Sequence, residues 1–174
     1  MLNSGSRQFG TEAKALVDDV GGLPLALELL RSYLNLRGDL TIAAVRQQLA
    51  ETGHMAALEE FACEYKDELP TAHERNVAAT FQVSWNLASD DGKELLGVMA
   101  HLAPAPVPLR LLLASLQWQG SAAANRLSKA IADLHRLSLV DRNELNEPVA
   151  HRLILAFVGR LPESSASGGR QRRR

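Results

Sequence analysis

Residues 20–34 read Val-Gly-Gly-Leu-Pro-Leu-Ala-Leu-Glu-Leu-Leu-Arg-Ser-Tyr-Leu, and no single helix runs through them. The adjacent glycines stop one helix and Pro24 opens the next, because proline is preset for a first helical turn, where its missing N–H is no loss. Behind it Leu23, Ala26, Leu27, Leu30 and Leu34 recur at helical spacing and predict one apolar stripe. The result is a rigid apolar corner with glycine backbone that another molecule can approach closely. A packing corner between two helices and a wall for a flat ligand both satisfy this pattern.

The same punctuation organises the rest of the chain. Residues 1–10 read as a disordered lead-in, and Thr11 as the cap of a helix running to about Val20. Thr41 predicts a cap for a third helix with Ile42, Val45 and Leu49 inward, and Met55, Leu58, Phe61 and Ala62 suggest a fourth. Pro70-Thr71 marks a boundary between a first region over 11–70 and a second over 71–161. In the second, a long helix over 73–88 places Val77, Phe81, Ser84, Trp85 and Ala88 on one face. Ser89 caps the next helix, whose stripe is Leu95, Leu96, Met99 and Leu102. Pro108 opens a short helix that ends at Gln119-Gly120, and Ser121 is the expected cap of another carrying Leu127, Ala130, Ile131, Leu134 and Leu137 inward.

The period then changes. Residues 139–142 and 148–151 predict two short strands around the polar turn 143–147, followed by an apolar helix over 152–160. Residues 162–174 are rich in Ser, Gly and Arg and read as a disordered tail. The expected fold is mainly α: a small helical bundle followed by a winged helix-turn-helix with one β-hairpin. In that order the helix near 121–137 takes the recognition position and the hairpin is the wing.

Composition narrows the chemistry. The formal net charge of −1 supplies no global field for nucleic acid or membrane. No apolar run reaches the ~18–20 residues of a membrane helix, and the polar start lacks the apolar segment of a secretory signal. With Cys63 as the one cysteine, no internal disulfide forms, and a cytoplasmic setting is expected. Gly92-Lys93 is preceded by Leu87 where a phosphate loop needs glycine and followed by Glu94 where it needs Ser or Thr, so the chain is not expected to be an enzyme by itself. His54, His73, His101, His135 and His151 are scattered, which argues against a zinc site.

Arg126, Lys129 and Arg136 follow 3-and-4 spacing on the outer face of the candidate recognition helix, with Asp133 among them. Such a row meets DNA phosphates in a winged-helix transcription regulator, the alternative function; a solvated face fits the missing net positive charge better. The basic end, Arg170 to Arg174, reads as a nucleic-acid patch or as an inert tail. His151, between the second strand and the last helix, reads as a cap of its own helix or as an anion contact.

Four segments together resemble a known family. Gly22-Leu23-Pro24-Leu25-Ala26-Leu27 resembles the Gly-x-Pro motif of the NB-ARC, or STAND, signalling NTPases. Residues 77–87 are similar to the opening of their winged-helix subdomain, residues 134–140 to the passage from helix to wing, and Val149-Ala150-His151-Arg152-Leu153 to their Met-His-Asp motif in its bacterial His-Arg-Leu form. The resemblance covers about residues 11–160. It implies a regulatory fragment of a nucleotide switch that binds ADP or ATP with an α/β nucleotide-binding domain, the part carrying the phosphate loop. It implies that Pro24 packs on adenine, that Gly22 and Leu23 shape that wall, and that His151 bonds the β-phosphate in the resting state. Exchange of ADP for ATP would then release the latch and permit a homo-oligomer. Arg152 stands where the plant and animal motif has aspartate, and Ala150 precedes the histidine.

Overall fold

The computed structural model describes residues 4–52 and 74–161. These residues are mainly helical, with one small antiparallel hairpin. The chain divides into two compact units, Met1–Ser84 and Trp85–Arg174. The expected boundary at Pro70-Thr71 lies outside the described residues; the observed division falls inside a helix.

The first unit contains α1 (Ser4–Asp19), α2 (Pro24–Leu36), α3 (Ile42–Thr52) and most of α4 (Glu74–Leu87). Helix α1 begins at Ser4, so residues 4–10 are helical and not the expected lead-in, and Thr11 is not its cap. Gly10 in its interior costs the helix only about 1 kcal/mol. Leu16 and Val20 are buried, and α1 packs against α3, which buries Ile42, Val45 and Leu49. Thr41 does cap α3, its Oγ1 accepting from the Ala44 N–H at 3.2 Å. Helix α2 departs from its expected stripe: the buried side chains are Ala26, Leu29, Leu30, Ser32 and Tyr33, while Leu23, Leu27 and Leu34 are half-buried. Tyr33 turns the helix, because it buries its ring and donates its hydroxyl to Gln48 Oε1 on α3 at 2.9 Å. Helix α4 is buried at Val77, Phe81, Ser84 and Trp85 as its spacing predicts, and also at Ala78, Ala79, Thr80 and Val83. The expected helix around Met55 to Ala62 lies outside the described residues, as do Cys63, His54, His73 and the tail from residue 162.

In the second unit α5 (Asp90–Met99) is the central element, packed by α6 (Leu109–Leu116), α7 (Ala123–Arg136) and α8 (Arg152–Val158). Ser89 caps α5, its Oγ accepting from the Gly92 N–H at 3.2 Å, with Asp90 and Asp91 at the positive end. Gly92 explains itself here: a Cβ at that position would meet Leu134 Cδ2 of α7 at 3.1 Å. Helix α6 stops at Leu116, before the expected Gln119-Gly120, because Gln117 adopts the left-handed conformation at φ 53°. Ser121 is not the cap of α7; Ala122 holds that place without a side-chain bond. The α7 core face, Leu127, Ala130, Ile131, Leu134 and Leu137, is buried as its period requires.

Strands β1 (Asp141–Arg142) and β2 (Pro148–Val149) pair antiparallel, with Asp141 opposite Val149 and Arg142 opposite Pro148. The ladder is shorter than the expected four-residue strands because Leu139 N–H still bonds Leu134 O at the end of α7 and His151 already caps the last helix. The turn is held by Asn143, whose Oδ1 accepts from the Leu145 and Glu147 N–H groups at 3.0 and 2.8 Å. Helix α8 follows directly and ends at Val158 rather than 160. Among the described residues no helix is long and apolar enough to cross a membrane.

Candidate functional site

The corner at Gly22-Leu23-Pro24 is built by the end of α1. Gly21 and Gly22 both have positive φ, 64° and 66°. Their N–H groups turn back to Asp18 O at 3.0 Å and Val17 O at 2.9 Å, the crossed pair of bonds that closes a helix with a left-handed residue. The glycines are therefore needed first for backbone conformation. Leu23, at φ −64° and ψ 121°, is the extended residue that leads into Pro24 at the start of α2. Gly22 and Pro24 are exposed and Leu23 is half-buried, so the corner faces outward. Beside Gly22 there is open space where a Cβ would stand.

Sequence reasoning missed a hollow in the same unit, of about 360 Å³, lined by Asp19, Arg46, Gln47, Leu49 and Asn76 among others. Arg46 forks onto the Asp19 carboxylate, with the Nη2–Oδ1 contact at 3.1 Å. Asn76 donates to the Asp19 carbonyl at 2.7 Å, satisfying one of the unpaired carbonyls at the end of α1. The polar lining of this hollow is thereby engaged within the unit itself. The signal for it, an Asp, an Arg and an Asn far apart in sequence, exists only once the helices are packed.

His151 belongs to the second unit. It is exposed, stands between β2 and α8, and caps α8: Leu153 N–H donates to His151 Nδ1 at 3.3 Å. With Nδ1 accepting, the proton of the neutral ring sits on Nε2. The residue opens onto a cleft of about 400 Å³ lined also by Pro104, Asp141, Val149, Ala150 and Arg152. The structure thus joins Gly22, Leu23 and Pro24 in one corner of the first unit and sets His151 at a cleft of the second.

Two of the three cations in the expected row on α7 are engaged by acids. Arg126 forks onto Asp91 of α5, with its Nε 2.8 Å from Oδ2, lies 3.5 Å from Glu94, and stacks on the Trp118 ring 4.1 Å from its centre. The Trp118 Nε1–H donates to Glu94 at 3.1 Å, so one tryptophan between α6 and α7 ties both helices to α5. Arg136 bonds Asp133 at 2.9 Å, and the other Asp133 oxygen accepts from the Ser89 N–H at 2.8 Å. Partial burial pushes the Asp133 pKa up, but the Ser89 bonds and Arg136 outweigh it and hold the carboxyl below its ordinary range. Among the described residues Lys129 alone of the three cations has no ion pair. No cluster of three or more metal-ligating side chains occurs among the described residues. No protein-family model, curated protein or solved structure matches this chain.

Proposed function

We propose that this chain is a regulatory part of an NB-ARC or STAND nucleotide switch, contributing to ADP binding and to the resting state without catalysing a reaction itself. The reading is carried by His151: at the junction of hairpin and last helix its Nδ1 is turned onto its own helix, at the mouth of a cleft. An imidazole at the mouth of such a cleft suits contact with a phosphate oxygen. Gly22, Leu23 and Pro24 support the reading, since a rigid outward corner suits the flat face of a purine. The second unit is then a winged helix-turn-helix, with α7 in the recognition position and the β1–β2 hairpin as the wing. An α/β nucleotide-binding domain supplies the phosphate loop and the remaining contacts. ADP favours the closed state by touching groups that separate in the open one, and release permits a homo-oligomer in the cytoplasm.

A winged-helix DNA regulator is the competing reading, and the acids on Arg126 and Arg136 weigh against it. The deciding measurement is ADP affinity by calorimetry, on this chain alone and joined to its α/β domain. For the chain alone, ADP leaves the melting temperature unmoved. In the joined protein, Pro24→Ala and His151→Ala each weaken ADP by about tenfold or more, the equivalent of one good contact. Unaltered ADP affinity in both variants would overturn the assignment.

A further inference from the structure

The β1–β2 hairpin carries a knob beside a hole. Leu145, at the turn, is 75% exposed, the largest exposure of any big apolar side chain among the described residues. Glu144 next to it is exposed and forms no ion pair among the described residues. On the other side of Leu145, Asn146 and Arg142 close a small apolar pocket of about 80 Å³ between Leu109 and Leu113 of α6 and Leu127 and Ile131 of α7. That is room for one branched aliphatic side chain. Leu109, 36% exposed, carries the apolar surface out to the rim.

Charge at the pocket matches charge at the knob. Arg142 has no carboxylate within ion-pair distance among the described residues; its one side-chain bond is from Nη1 to Asn146 Oδ1 at 3.0 Å. Its Nε is buried and has no hydrogen-bond partner. A guanidinium with no carboxylate beside it attracts an arriving acid to the mouth of this pocket. The fitting occupant is therefore a leucine flanked by a carboxylate, which is the Glu144-Leu145 sequence of the hairpin tip itself. A surface that bears its own knob next to its own hole meets the requirement of a two-fold contact, in which each copy gives and receives the same group.

We propose that the hairpin tip is a self-association surface: Leu145 of one copy enters the α6–α7 pocket of a second, Glu144 meets Arg142, and the exchange is reciprocal. The inference does not rest on the nucleotide reading. A contact of two hairpin tips falls below the roughly 1,200–2,000 Å² of a stable interface, so the dimer is weak, with a Kd on the order of 10–100 μM.

Sedimentation of the full chain from about 5 μM to 1 mM tests this, and a concentration-dependent dimer is expected. Leu145→Ser weakens it by about tenfold or more. Glu144→Arg and Arg142→Glu are each monomeric alone, because each sets like charges opposite one another. Mixed in equal amounts they dimerise again, because each contact then sets a glutamate against an arginine, one pair with native and one with reversed sign. Thermal melts of each variant establish that it is folded; if Arg142→Glu is not, the Leu145 and Glu144 variants decide. A chain that stays monomeric to 1 mM, a dimer indifferent to Leu145→Ser and Glu144→Arg, or a mixture no better than its parts overturns the proposal. So does open-ended polymer, which means a contact without two-fold closure. A monomer that instead binds an acidic leucine-bearing peptide assigns the pocket to a different partner and also overturns it.

Discussion

Gly22 and Gln117 occupy the same region of backbone space with different chemistry. Both are left-handed residues beside helix ends, at φ 66° and 53°. Glycine takes this conformation without strain, whereas a side chain adds roughly 1 kcal/mol. Gly22→Ala is therefore expected to lower stability by about 1 kcal/mol in urea titrations, although nothing obstructs the new methyl group. Gln117→Gly should shift the same titration the other way, by about 0.5–1 kcal/mol. The sequence singled out Gly22 through its neighbour Pro24, but nothing in the chain marks Gln117, because glutamine is a poor choice there and propensity points elsewhere. His151 was legible only as a choice between helix cap and anion contact. The bond from Leu153 establishes the cap.

Helix α5 shows how elements depend on one another at their ends. Its start is held by Ser89 from within and by Asp133 of α7 from outside. Asp133→Ala removes that second tie and is expected to cost about 1 kcal/mol near neutral pH. The lowered carboxyl pKa gives the sign of the pH effect. The stabilisation is complete above the ordinary Asp value of 3.8 and fades as pH falls through the lower folded value. Acid melts of Asp133→Asn should therefore lose less stability below about pH 4 than the parent; an equal acid loss would mean that another group dominates. The α5 and α7 faces were legible because their apolar residues keep a helical period against polar neighbours. The α2 face was not, because leucines lie on several sides of that helix, and Tyr33 chose among them by reaching Gln48.

The whole molecule has a formal net charge of −1, and two of the three cations in the α7 row, Arg126 and Arg136, are paired with acids. At about 50 mM salt, labelled random duplex DNA is expected to show no retention below roughly 0.1 mM protein. Micromolar binding that weakens steeply with salt would favour the DNA regulator. The alternation of helices, the late hairpin and most core residues follow from the sequence alone, since glycine, proline and apolar period act within a few residues of one another. The groupings were decided only by packing. Trp118 meets Arg126 and Glu94, Asn76 meets Asp19, and Arg142 closes a pocket floored by two helices, each across a separation that no local rule spans. Local torsions and hydrogen bonds set where a helix begins; which side chains become neighbours is set by the collective burial of surface, and that exists only in the folded chain.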